Sequence, residues 1–168
     1  MPKTVDSFRF VSGITRRMIE TWIKMEEPRP IPWTPLSKPL SECKVAMISS
    51  GGIAMKDEKP FDQEGERQNP WWGDPSHRII PKTASEKDVE IYHLHINPAF
   101  ARQDINCLLP IQRLNELEEA GEIGSAAESH YSIMGYLLKP EEMLEQSIPA
   151  IIQQLKNEQV DAVVLVPS

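Results

Sequence analysis

One short run constrains this chain more than any other feature. Lys44-Val45-Ala46-Met47-Ile48 is apolar after its lysine and is closed at once by Ser49-Ser50-Gly51-Gly52. A continuous apolar run this short, ended by small residues, fits a strand buried on both faces rather than a helix. A second run of the same kind, Val160-Asp161-Ala162-Val163-Val164-Leu165-Val166, lies two residues before the last residue, Ser168. Strands buried on both faces belong to parallel sheets covered by helices. The helices are expected between the two runs. Pro110 opens one that continues to Ala120, with Ile111, Leu114 and Leu117 as its stripe and Gly121 as its stop. Pro140 opens another, whose buried face is read as Met143, Leu144, Ile148, Ile151, Ile152 and Leu155, with a kink at Pro149. Asp88 to Ile96 alternates in strand fashion and sets Val89, Ile91, His93 and His95 on one face. Residues 55–82 are polar and aperiodic and read as one long loop. Gly124 to Met134 reads as a short strand or a loop. The expectation is an α/β fold: a mostly parallel, Rossmann-like sheet with flanking helices. It is expected to be incomplete at its C-terminus, because a buried parallel strand rarely ends a domain without a following helix.

The N-terminal part differs in kind. Ile14, Met18, Trp22 and Met25 form one helical stripe. Pro28, Pro30, Pro32, Pro35 and Pro39 follow, part of a total of 15 prolines in 168 residues, well above the usual share of about 5%. Each proline fixes its own φ and removes a donor, so this stretch is neither helix nor inner strand. Residues 1–40 therefore read as a helix and a Pro-rich arm, and residues 41–168 as an α/β domain, the N-terminal part of a longer domain or protein.

Composition excludes several function classes. The net charge is −7 and no basic block occurs, which argues against a nucleic-acid partner. No apolar run approaches the roughly 18 residues of a membrane span. The N-terminus lacks the apolar core of a signal peptide, so a cytoplasmic location is expected. Cys43 and Cys107 form no zinc pattern and read as two reduced thiols.

In open α/β sheets, ligands sit beyond the carboxyl ends of the strands. The candidate binding residues follow from that rule. Ser49, Ser50, Gly51 and Gly52 could cradle an anion, or form a plain strand-ending turn. In Gly73-Asp74-Pro75-Ser76-His77-Arg78, Arg78 could hold a substrate carboxylate or pair internally with Asp74. His93 and His95 are candidates for proton transfer or substrate orientation; a metal site would need further ligands, such as Asp104 or His130, which no spacing selects. Asp104 and Asn106 stand before a helix, where capping competes with ligand contact. His130 lies in a small-residue segment. Trp71-Trp72 in a polar loop could cover a pocket.

Several segments occur in one order: ISSGG, GDPSHRIIP, HLHIN, DINCLLPIQRL, GEIGSAAESHYSIMGY and VDAVVLVPS. Together, from about residue 43 onward, they resemble the selenoprotein B family of glycine, sarcosine and betaine reductases and the related small subunit of D-proline reductase. The resemblance implies reductive cleavage of a C–N bond in a small amine or amino acid. It implies a selenocysteine nucleophile, a pyruvoyl group on a partner subunit that binds the substrate amine, and a thioredoxin-type dithiol as reductant. It assigns no metal. The family's selenocysteine follows the strand matched here by Asp161–Val166, which places it after Ser168 and outside this sequence. Since selenocysteine is encoded by UGA, the sequence reads as one terminated at a recoded codon, and as inactive without the next residue. Ile96-Asn97 also departs from the family, where an aromatic and an acid are usual, and this bears on substrate choice. Two readings of other classes stand beside this one: a non-catalytic α/β module or structural subunit that binds a small carboxylate, and a metal-dependent hydrolase built on His93 and His95. We expect the DNA after codon 168 to read UGA followed by an open frame; sequencing it checks this, and any other stop codon would reject it.

Overall fold

A computed structural model describes residues 8, 11–25, 30, 34–69 and 72–168. The described residues up to Pro35 form one unit and Leu36–Ser168 another. In the first unit, helix α1 spans Gly13–Met25. Ser12 caps it by accepting the N–H of Thr15, and Arg16 pairs with Glu20 one turn on. No residue of α1 is buried. Residues 26–29 and 31–33, including Pro28 and Pro32 of the Pro-rich arm, lie outside the described residues, as does Trp71.

The second unit is built around β1 (Lys44–Ser49), which is mostly buried as its apolar run predicts. Short β2 (Ile53–Met55) follows it. The stretch expected to be loop contains helix α2 (Gln63–Gln68) and strand β3 (His77–Pro81). Helix α2 shows no apolar period because polar contacts described below hold it. Strand β3 is too short to show one, with Ile80 buried in the core and its backbone paired to Ser129–Ile133. Strand β4 (Val89–Ile91) pairs antiparallel with β2. Helix α3 (Ile111–Glu119) ends where expected, with Gly121 in the left-handed region at φ 70°. The mixed segment forms β5 (Ser125–Ala126) and β6 (Ser129–Ile133). The Pro140 helix is split as Pro149 demands: a π turn, Met143–Ser147, precedes α4 (Ile148–Asn157), with the proline in its first turn. Strand β7 (Ala162–Val166) closes the order.

The five-stranded sheet is mostly parallel. Strands β5, β6 and β7 all run parallel to β1, and β3 runs antiparallel to β6. Val45 pairs with both Ala126 and Ala162, and Ile48 with both Tyr131 and Leu165. Strands β5 and β6 therefore share one edge of β1, and β7 takes the other. The fold is the α/β class expected. The last strand, however, is not buried on both faces: Val164 is 47% exposed and Leu165 72%. It stands at the sheet's edge, so its apolar run does not report burial. The same holds for the face read on the last helix, where Leu144 and Ile152 are exposed and Ile151 is buried.

The core lies between this sheet, α3 and the β2–β4 pair, around Met47, Ile53, Ile80, Ile105, Leu109 and Ile111. His130 sits inside it, fully buried. Between β5 and β6 the chain leaves β1, and the Met47 N–H there donates to His130 Nδ1 at 3.2 Å. The imidazole thus replaces a missing sheet bond, and its Nε2 has no partner among the described residues. Burial, the first cause, pushes its pKa down to about 4; the carboxylate of Glu158 opposes the shift and the charge of Lys82 adds to it. The unfolded imidazole titrates near 6.5, so the unfolded chain binds the extra proton between these values. The contribution of neutral His130 is fully present above about pH 6.5 and is lost as the pH falls toward 4. We expect His130→Ala to cost about 2–3 kcal/mol at pH 7.5, through the orphaned Met47 N–H and the cavity left behind. In urea melts at pH 7.5 and pH 5, the variant should also lose less stability on acidification than the parent.

Candidate active site at the strand exits

Because β1, β6 and β7 are parallel, their C-terminal ends meet at one edge of the sheet. The residues beyond them are joined by backbone bonds. The Ser50 N–H donates to Val166 O (3.1 Å) and the Gly52 N–H to Ile133 O (3.0 Å). The Gly51 N–H donates to Ser49 Oγ (3.0 Å), and Ser49 Oγ donates to Leu108 O (2.7 Å). Ser168 N–H donates to Ser50 Oγ at 2.9 Å. The loop read as an anion cradle is therefore a junction whose three amides, at Ser50, Gly51 and Gly52, are spent within the chain. What it positions is the exit of β7 and the imidazole of His93.

Two glycines make room for His93, one beside its backbone and one beside its ring. Gly52 adopts φ 60°, and a Cβ there would meet Met134 Sδ at 2.7 Å and His93 N at 3.0 Å. At Gly135 a Cβ would meet Ser50 O at 2.7 Å and His93 Nε2 at 2.8 Å.

His93 and His95 are not on one strand face, as alternation predicts. Strand β4 stops at Ile91, opposite the first residue of β2, Ile53; the Tyr92 N–H makes one more bond of that ladder, to Gly52 O (2.8 Å), and the chain then turns. The two histidines meet through a turn instead. The His95 N–H donates to His93 Nδ1 (3.1 Å), and the rings stand edge-on with centroids 5.9 Å apart. Accepting at Nδ1 fixes the neutral His93 ring with its proton on Nε2. Burial, with the neighbouring His95 charge, lowers the His93 pKa and favours that neutral form. The His95 ring also lies 4.4 Å from that of Tyr136.

A residue that the sequence reading missed completes the group. Glu66, on α2, is 3% exposed, and its Oε1 lies 3.2 Å from His95 Nε2. Desolvation raises the Glu66 pKa, and His95 opposes the rise. Helix α2 faces the histidine turn because Gln63 Nε2 donates to Tyr92 O (2.6 Å) and Asp62 caps the helix by accepting the Gly65 N–H (2.8 Å). The signal for α2 was present: Asp62 followed by Glu64 and Glu66 is an N-cap with an acidic first turn.

The remaining candidates lie around this group rather than in it. Arg78 is 5% exposed and its hydrogen bonds go to the chain itself: Lys59 O (2.7 Å), Pro60 O (3.0 Å), His77 O (2.7 Å) and Ser76 Oγ (2.9 Å). Its guanidinium stacks on Phe61 at 4.2 Å. It clamps the segment leading into α2. Asp74 lies 3.9 Å from Arg78 and accepts the Asp62 N–H, the Ser76 N–H and the Ser76 hydroxyl. The hydroxyl bond, then the two backbone bonds, hold its carboxyl below the usual range although burial acts the other way. Trp72 lines a cavity of about 290 Å³ beside Asp62, Asp74 and Glu142. Asp104 Oδ1 accepts the Asn106 N–H and side-chain amide, and Asn106 Oδ1 accepts the Gln112 N–H, so Asp104 caps the turn that follows it and Asn106 caps the start of α3. His130 belongs to the core. Among the described residues no group of three or more His, Cys, Asp or Glu side chains is placed to hold a metal ion, so the hydrolase reading finds no ligand set there.

Comparison with known proteins fits this architecture. The family model for the glycine/sarcosine/betaine reductase selenoprotein B matches residues 8–168. The D-proline reductase subunit gamma of Acetoanaerobium sticklandii is 35% identical over 138 residues, which cover 82% of this chain and 53% of the relative. The glycine reductase complex component B subunit gamma of Carboxydothermus hydrogenoformans is 30% identical over 135 residues, covering 80% and 30%. Its counterpart from Symbiobacterium thermophilum is 26% identical over 178 residues, covering 95% and 37%. No solved structure matches the chain. The chain belongs to the glycine/sarcosine/betaine reductase selenoprotein B family. It spans about half the length of the D-proline reductase relative and about a third of the glycine reductase relatives.

The two glycines give a direct check. Gly135→Ala pushes a methyl against Ser50 O and His93 Nε2, and should cost about 1–3 kcal/mol of stability. A urea melt reads the loss, and the His93 ring resonances should shift in the same variant.

Proposed function

We propose that this chain is part of a reductase subunit that reductively cleaves the C–N bond of glycine, sarcosine, betaine or D-proline. One observation carries the reading. In a chain of this family, the exit of β7 is tied to Ser50 at the edge where His93, His95 and Glu66 gather. The residue after Ser168 would leave from that point. The reading takes it to be the selenocysteine, whose selenolate supplies the nucleophile, with a pyruvoyl group on a partner subunit holding the substrate amine and a thioredoxin-type dithiol supplying electrons.

The chain's own residues then have defined tasks. When the C–N bond of glycine, sarcosine or D-proline breaks, the freed nitrogen takes up a proton. His95, 53% exposed on its side chain, is the group at this edge that can deliver it. His93 is buried behind it, with Nε2 as its proton-bearing atom. The Ser49–Gly52 junction holds β1 and β7 in register, so the nucleophile and the imidazole keep a fixed separation. The glycine and D-proline relatives are subunits of reductases by name, which supports partner subunits for this chain.

The test is expression with the native downstream DNA in a host that inserts selenocysteine, followed by assembly with the partner subunit. Dithiol-dependent loss of substrate is then measured for the four substrates, with the released amine, or the ring-opened amino acid in the case of D-proline, as product. We expect turnover of one of them, and we expect His95→Ala to lower kcat by about 10²–10⁴-fold with little change in KM. A complete, selenium-containing assembly that turns over none of the four would reject the reading in favour of a non-catalytic carboxylate-binding or structural subunit.

A further inference from the structure

Glu66 is the one carboxylate at this edge with no conventional structural task. It is 3% exposed, both of its oxygens lack a hydrogen-bond partner among the described residues, and Oε1 lies at ion-pair distance, 3.2 Å, from His95 Nε2. Burying a carboxylate this way carries a cost that an apolar residue would avoid. Three other devices aim it. Asp62 caps its helix, Gln63 ties that helix to Tyr92 O, and Arg78 clamps the preceding residues, Lys59 and Pro60. The elements brought to bear on α2 thus converge on holding one carboxylate against one imidazole nitrogen.

We propose that Glu66 is the positioning residue of this site: its buried carboxylate accepts the Nε2–H of His95 and fixes that ring with Nδ1 as the unprotonated nitrogen. The inference rests on the reading of the histidines as proton-handling groups and adds the atoms. A neutral imidazole has one protonated and one bare nitrogen, and the hydrogen bond at one decides the other. At His95 the neighbour is Glu66, whose otherwise unpartnered Oε1 lies 3.2 Å from Nε2, and the proposal makes it the acceptor. At His93 it is the His95 N–H, 3.1 Å from Nδ1. The two rings are therefore held in the same tautomer by different partners. His95 presents a bare Nδ1 that takes up a proton and, as the imidazolium, can deliver it, while the His93 proton sits on Nε2. A carboxylate behind an imidazole also stabilises the imidazolium that forms when Nδ1 is protonated.

Two-dimensional long-range ¹⁵N–¹H spectra of the histidine-labelled 168-residue chain, taken at a pH where both imidazoles are neutral, read the tautomers directly. The expected result is a bare Nδ1 and a protonated Nε2 at both His93 and His95. Glu66→Leu should collapse the His95 pattern toward the averaged values of a free imidazole while His93 keeps its own. Glu66→Gln, which keeps an acceptor oxygen and the shape, should retain the Nε2–H form and serves as the variant of choice if the leucine variant does not fold. A His95 ring protonated on Nδ1 in the parent chain overturns the proposal, and so does an His95 pattern that Glu66→Leu leaves unchanged. If the leucine variant does not fold, an unchanged parent-like tautomer in Glu66→Gln supports the pairing, and an averaged one overturns it. These spectra need neither substrate nor nucleophile, so failure here is distinct from failure of the reductase reading, which only turnover by the complete assembly decides.

Discussion

The body of this protein depends on the two-sided hydrogen bonding of Lys44–Ser49. Every parallel strand pairs with it: β5 and β6 along one edge, β7 along the other. Where β5 and β6 leave a gap, the imidazole of His130 supplies the acceptor that a strand would have given. Where the strand begins, Asp161 accepts the Lys44 N–H at 2.7 Å and pairs with Lys38, which fixes the start of β7 against the start of β1. An inner strand with unpaired amides would be costly, so this spine sets the position of all that follows.

The site inherits its precision from that spine. The junction at Ser49–Gly52 uses its own amides to tie together three strand exits, and this leaves side chains rather than backbone as the available chemistry. The histidine turn is then held from two directions. Gly52 and Gly135 let the sheet edge approach His93, while α2 brings Glu66 to His95 from outside the sheet. The Arg78 clamp belongs to the same arrangement, because the segment it grips leads into α2. Residues that look like separate ligand candidates in the sequence thus divide into those that touch the edge and those that hold its supports.

Legibility in the sequence followed the physical source of each element's stability. Strand β1 and helix α3 were plain, since each is held by burial that leaves a period or a continuous run, and the stop at Gly121 follows from its positive φ. Helix α2 was hidden because polar bonds from Asp62 and Gln63 hold it, and such bonds leave no periodic mark, while β3 was hidden because it is short and held by pairing with β6. The pairing partner decided the histidines: alternation through Ile96 looked like strand, but β2 offers only Ile53–Met55 to pair with. Strand β7 was located correctly yet misjudged in burial, since an apolar run records composition and not what covers it. Glu66 carried no motif of its own, and only its place on a capped helix could have singled it out.

The pairing of β1 with β7 has a consequence in time. The Lys44 N–H and the Asp161 carboxylate that meet across this edge are 117 residues apart in the chain, and Ser168 and Ser50 are separated by 118. A ribosome adding about 5–20 residues per second needs roughly 6–24 s to cover that distance. Through that interval β1 can pair along its β5–β6 edge at most, and its other row of amides stays open until nearly all of these 168 residues have emerged. The nascent chain therefore carries an unclosed apolar strand until β7 has been made, and the strand exits that carry the histidine edge come together only then.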